Sequence, residues 1–266
     1  MGVIADDTLP QGTVILNRYR VDSFFRSHPF MHIYYGTDMD RNEPVLIREA
    51  KGDIAAFMSR IEPELLVADI PYLNATDTLI EADDTYYAIS KRYDIVETLT
   101  TRLKREEMIP WKEFIQSVKP VICGLIECQT RGVGHFSISP NHFLYDNQGN
   151  LILDGFGFCA GSLKREGRLF SNLDSFSPPE MHMKNGRIGT WTDVYSMAVT
   201  IYRCITGVMT PDAMSRLKSD QVIPARKLVP RIPAHISRTI MKGMEVYAEK
   251  RCVSMKEFYH GIYLWH

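Results

Sequence analysis

The sequence has no uncharged apolar run of about 18 residues, so nothing in it reads as a membrane-spanning helix. It has no C-x-x-C pair and no Cys/His set at metal-ligand spacing. The five thiols, Cys123, Cys128, Cys159, Cys204 and Cys252, are scattered and mostly apolar-flanked. That pattern suits a reducing cytoplasm, with each thiol a small buried hydrophobe. Charge of one sign is not in excess: 31 Lys and Arg stand against 32 Asp and Glu, a net charge of -1. That balance gives no electrostatic reason to expect nucleic acid or an anionic membrane as partner. The opening "MGVIADDTLPQGT" lacks the basic-then-apolar build of a signal peptide. Asp6 stands where a myristoylation signal after Gly2 needs Ser or Thr. Residues 1–12 are expected to form a flexible tail. There is no internal repeat.

What is present is an ordinary globular chain of 266 residues, 45% hydrophobic and 24% charged, with material for a sizeable core. From Tyr19 to Tyr93 the pattern is strand-like. "YRVDSFF", "FMHIYYGTD", "EPVLIREA", "DTLIEA" and "TYYAISKRY" are short, β-branched or aromatic, and punctuated by charged or Asn/Gly turns. "DIAAFMSRIEPELLVAD" supports one amphipathic helix that Pro63 limits. After Tyr93 the period changes. "WKEFIQSVKPVICGLIECQTRG" places Phe114, Val118, Ile122 and Leu125 at helical spacing, with a kink expected at Pro120. "WTDVYSMAVTIYRCITG" is a second strong helix, begun by Thr192 or Asp193 and closed by Gly207. Short helices are expected near 212–217, 234–247 and 254–263. Between the two strong helices "HFLYD" and "LILDG" form a strand pair around the turn "NQGN". The fold class is therefore α+β, with an antiparallel sheet and one helix before a mainly helical region.

Seven segments in order carry a resemblance that covers about residues 13–265. They are "LNRYRV", "VLIRE", "HFSISPNHFL", "LILDGFGFC", "SPPE", "TDVYSMAVTIYRCITG" and "KRCVSMKEF". Together they resemble the eukaryotic-like (Hanks-type) Ser/Thr protein kinases of bacteria. The resemblance implies a bilobal fold, with a five-stranded N-lobe carrying one helix over residues 13–93. A larger, mainly helical C-lobe would cover 94–266, and ATP would lie between the lobes.

The resemblance also assigns stations, and many hold unexpected residues. Arg26, His28 and Met31 fall where three glycines would let backbone amides approach phosphates. An ordinary hairpin tip is the expectation there, with His28 or Met31 available to occupy the nucleotide's place. Arg48 replaces the third-strand lysine and is expected to pair with Glu62 or Glu64. Ser137 stands at the catalytic base, and a serine does not accept a hydroxyl proton near neutral pH. His142 stands at the metal-binding Asn, where imidazole suits Mg²⁺ poorly; Asn141 lies one residue early. Gly155 stands at the metal-binding Asp of D-F-G, with Asp154 displaced by one, and a bulge at Gly155 would be needed to bring it back. His135, Asp193, Glu180 and Arg251 occupy structural positions of the family, the last two as a buried ion pair.

These matches imply a degenerate family member, a pseudokinase that is not an enzyme. On that reading no cofactor is expected, neither ATP nor Mg²⁺, and no metal site. The chain would act in signalling on another protein, an active kinase among the candidates, as scaffold or allosteric regulator. Two alternatives stay open: a nucleotide-binding switch without phosphotransfer, and an atypical kinase or nucleotidyl transferase using Asp154. Basic stretches "KRYDIVETL" and "LKREGRLF" name no partner surface, and Ser162, Ser171, Ser175 and Ser177 read as plain loop serines.

Overall fold

The structure, a computed structural model, describes residues 8–28, 31–155, 161–162 and 173–264. The chain divides into two compact units. The first runs to Asp69 and resumes over Asn74–Asp94; the second holds Ile70–Leu73 and everything from Ile95 onward.

The first unit is built on six antiparallel strands: β1 (Val14–Ile15), β2 (Tyr19–His28), β3 (Met31–Asp38), β4 (Glu43–Ala50), β5 (Thr78–Ala82) and β6 (Thr85–Lys91). Their order is β1-β2-β3-β4-β6-β5. Five strands are expected from the sequence; the sixth is β1, too short to show a period of its own. Alternation divides the sheet's side chains. Tyr34 lies opposite Ile47, and with Ile15, Tyr19, Val21 and Ile89 they form one apolar cluster. Ile33 lies opposite Arg48 on the other face, where Met31, Ile33 and Ala88 pack against Phe57 and Ile61 of α1 (Ile54–Leu65). The tail expected over 1–12 is corrected from Leu9 onward. The Leu9 side chain packs against the first cluster, and its N–H donates to the Tyr34 hydroxyl at 3.0 Å. Gly12 N–H donates to the Val21 carbonyl at 2.8 Å.

The second unit carries two small antiparallel sheets: β7 (Ile95–Thr98), β9 (Phe143–Asp146) and β10 (Leu151–Leu153) in the order β10-β9-β7, and β8 (Val133–Gly134) with β11 (Gly161–Ser162). Its described helices are α2 (Leu99–Glu106), α3 (Trp111–Thr130), α4 (Pro179–His182), α5 (Thr190–Thr206), α6 (Ala213–Lys218), α7 (Ala225–Leu228), α8 (Ala234–Gly243) and α9 (Met255–Tyr263). Helix α3 continues through Pro120. Helix α5 starts two residues earlier than Thr192, after Gly189, and is buried on nearly every side. That explains its apolar composition without a polar face. Gln129 joins three helices: its side chain donates to Thr190 O at 2.7 Å and accepts from Met255 N–H at 2.9 Å. The helix expected over 234–247 stops at Gly243. The carbonyls of Glu245 and Val246 are taken by Arg251.

Candidate functional site

The loop after β8 is anchored by one carboxylate. Asp193, in the first turn of α5, is buried and accepts from His135 N–H at 2.8 Å and from Phe136 N–H at 2.7 Å. Burial nevertheless pushes its pKa up to about 6, because two N–H bonds replace the water only in part. Those bonds also hold Phe136 at φ +58°, an uncommon value for a bulky residue. The His135 imidazole is wholly buried, and burial pushes its pKa down to about 3. Its Nδ1 accepts from Ser137 N–H at 3.2 Å, so Nε2 carries the proton and donates to the Asp154 carbonyl at 3.1 Å. A neutral histidine thus ties the loop to the end of β10.

His142 and Gly155 are placed as a pair. The His142 Nδ1–H donates to the Ser137 carbonyl, which brings Ser137 and His142 together across the loop. The Ser137 Oγ lies 3.4 Å from the same nitrogen. That nitrogen's proton already faces the carbonyl, so it is not free to take one from the serine. Gly155 follows β10 at φ +94°, a value that L side chains rarely adopt, and a Cβ there would lie 2.6 Å from His142 Cδ2. The imidazole fills the volume that a side chain at 155 would need. Asp154 is half-buried, with its N–H donating to His142 O at 2.8 Å. Asn141 is exposed and its Oδ1 accepts from Thr100 Oγ1 at 2.8 Å, so it faces helix α2. Phe156 and Gly157 lie outside the described residues. The donors at the expected metal stations are therefore one imidazole, one carboxylate and a residue without a side chain. Among the described residues no group of three His, Cys, Asp or Glu could hold a metal ion. This donor set does not fit Mg²⁺, which takes oxygen ligands in a near-ideal octahedron.

Glu180 and Arg251 form a two-pronged ion pair at 2.8 and 3.2 Å. Arg251 also donates to the carbonyls of Trp191 at 3.0 Å and Glu245 at 2.9 Å, and Glu180 accepts from Thr192 Oγ1 at 3.2 Å. With every charge-bearing atom answered, the buried pair holds the segment before α5. Gly186 lets the chain turn back: a Cβ there would lie 1.8 Å from the Glu180 carbonyl oxygen. Ser177 is buried and bonded to Asp174 at 3.2 Å, Ser175 is half-buried, and Ser171 and the side chain of Ser162 lie outside the described residues.

In the first unit, Arg48 pairs with Glu64 rather than Glu62. The two bonds measure 3.1 and 2.9 Å, and Glu64 is fully buried. Thr76, which no sequence pattern marks, completes the set. It accepts from Arg48 at 2.5 Å and donates to Glu64 at 2.7 Å through its hydroxyl, and its N–H donates to Glu64 at 2.8 Å. Met31 is buried beside α1, an apolar side chain where the expected loop would have none. Arg26 is exposed and lies over the Phe25 ring, 5.3 Å from its centroid. His28 pairs with Met31 at the tip of the hairpin.

Comparison with known proteins places this geometry. No family model matches the sequence. The "CBL-interacting serine/threonine-protein kinase 2" of Arabidopsis thaliana is 25% identical over 212 residues, 74% of this chain and 45% of that protein. The "CBL-interacting protein kinase 15" of Oryza sativa subsp. japonica is 23% identical over 245 residues, 87% of this chain and 55% of that one. The solved structure "PpkA-294 apo form" superposes with a TM-score of 0.73 at 18% identity, covering 97% of this chain and all of its own. The chain is similar in sequence to Ser/Thr protein kinases and has their fold. It spans about half the length of the curated relatives it matches. One expectation is overturned here. The chain was expected not to be an enzyme, yet the relatives are protein kinases by name, which points to an enzyme. Among the described residues, no helix is long and apolar enough to cross a membrane.

Proposed function

We propose that this chain is a kinase-family signalling domain whose output is exercised on another protein, by contact that scaffolds or allosterically regulates it. The observation that carries the reading is the completeness of the framework. The Asp193 clamp anchors the loop after β8, and the Glu180–Arg251 pair anchors α4 ahead of α5. The relatives are named for interaction with another protein, which supports a protein partner here. The scattered cysteines, four of them free among the described residues, favour a cytoplasmic setting. On cofactors, the imidazole of His142 and the bare backbone of Gly155 argue against Mg²⁺-ATP held in the family manner. Transfer, the activity for which the relatives are named, would then use a different arrangement of metal or nucleotide.

Proximity labelling with the intact domain in its native cells, beside an Arg251→Ala framework variant, tests the partner. An enriched protein that, once purified, binds the intact domain saturably and the variant poorly supports the reading. The absence of any saturable protein ligand overturns it. A calorimetric titration with ATP, with and without Mg²⁺ or Mn²⁺, alongside a phosphate-transfer assay, tests the cofactor half. Metal-dependent heat would show the donors assembled in another way.

A further inference from the structure

Most arginines with a described contact in the six-stranded sheet are answered by carboxylates: Arg18 by Asp38 at 2.7 Å, Arg20 by Asp22 at 2.9 Å and Arg48 by Glu64 at 2.9 Å. Arg92, just past β6, is not. Its guanidinium carbon stands 4.2 Å from the centroid of the Tyr35 ring, and no carboxylate among the described residues pairs with it. Tyr35 in turn lies against Phe25, with centroids 4.7 Å apart and planes tilted by 34°, and Arg26 lies over the Phe25 ring at 5.3 Å. Three segments distant in sequence therefore build a ladder of cation, ring, ring and cation. In the same segment as Arg92, Lys91 Nζ stands 4.9 Å from the Tyr93 ring. The ladder meets solvent: Phe25 is 44% exposed, Arg26 is exposed, and Arg92 and Tyr35 are half-buried.

Stacking fixes the plane of a guanidinium while leaving its N–H edges free to donate. That is the arrangement in which arginine takes a carboxylate in a fork. The exposed ring beside it adds an apolar surface that a lone surface arginine lacks. We propose that this ladder is a docking surface for an acidic segment of a partner protein, with a carboxylate seated on the free edge of Arg92 and an aromatic side chain of the same segment against Phe25. Charge complementarity selects the occupant: the surface offers cations on rings, so the segment that matches it is acidic and aromatic. The inference rests on the protein-partner reading above and names the surface and chemistry that reading leaves open.

The test is fluorescence anisotropy of the full chain with a labelled Asp-Glu-Tyr-Asp-Glu-Phe probe, beside the same probe with Asn and Gln in place of its acids. The acidic probe is expected to bind and the neutral one not. Arg92→Gln and Tyr35→Leu should each weaken binding roughly tenfold or more. Arg92→Lys should weaken it nearly as much, since it keeps the charge and loses the fork. Unfolding midpoints of the variants confirm that they fold, and Arg92→Gln, at a half-exposed site, decides if Tyr35→Leu does not. Equal binding by wild type and Arg92→Gln overturns the proposal, as does full binding by Arg92→Lys or none by wild type. Displacement of the bound probe by inorganic triphosphate but not by unlabelled acidic peptide also overturns it, because the surface would then be a phosphate site. Should proximity labelling yield a partner whose affinity Arg92→Gln leaves unchanged, the surface fails and the partner reading stands.

Discussion

At the scale of the residue, His142 and Gly155 are one feature seen from two sides. The ring occupies the space and Gly155 supplies it, at a backbone angle that penalises any replacement. Gly155→Asp is therefore expected to cost ~1–3 kcal/mol, from strain and from the contact. Adding His142→Asn should return part of that cost, a coupling of roughly 0.5–3 kcal/mol. Urea midpoints of the two single variants and the double variant check it, and strict additivity would sink the pairing. The Glu180–Arg251 pair makes a second case. Arg251→Met leaves a buried carboxylate and three carbonyls without their donor and should destabilise by roughly 3–5 kcal/mol. Glu180→Leu combined with Arg251→Met should lose less than the sum of the two singles. Both residues stand in segments whose order could be read from the chain. The ring's claim on the space at 155 could not, because it depends on a contact between residues 13 positions apart on two strands' ends.

At the scale of the element, the strong helices and the sheet show in the sequence because their periods are long enough to repeat. Helix α5 ends where Gly207 takes φ +73° and donates to Arg203 O at 3.0 Å, a stop legible from Gly alone. Gly207→Ala is expected to cost about 1 kcal/mol, read as a lower thermal midpoint by circular dichroism. An unchanged midpoint would mean that tertiary contacts rather than the cap end the helix. The short elements were not legible. β1 has two residues, and α4 and α7 have four each, too few for any period to appear. The choice between Glu62 and Glu64 was legible in principle: Phe57, Ile61 and Glu64 share one helical face. Glu64 is buried on it, whereas Glu62 is exposed.

At the scale of the whole molecule, two buried titrating groups oppose each other. His135, held down at about 3 against 6.5 in the unfolded chain, contributes stability that is full above pH 6.5 and is lost as pH falls toward 3. Asp193, held up at about 6 against 3.8, contributes stability that is full below pH 3.8 and is lost as pH rises through 6. Between these limits each state binds one proton of the pair, so their effects on stability cancel. Asp193→Asn should expose the histidine, with stability falling as pH drops from 6.5 toward 4. His135→Gln should expose the aspartate, with stability rising over the same interval. Each slope approaches ~1.4 kcal/mol per pH unit. Denaturant midpoints at pH 7, 5.5 and 4 test both signs, and parallel profiles for the two variants would refute the account.

The sequence by itself determined the fold and its order of elements, because hydrophobic period, helix stops and a run of seven spaced segments are local properties of the chain. It also carried the resemblance from which residues such as Ser137, His142 and Gly155 are expected at the stations of a kinase. Only the tertiary structure decided what those residues do to one another. It gave Arg48 to Glu64 and Thr76, turned Asn141 to Thr100, and set the His142 ring in the space left by Gly155. It also stacked Arg92 on Tyr35 across 57 positions of sequence. These are contacts between distant segments, fixed by the packing of a shared core, and no periodicity within a single segment encodes them.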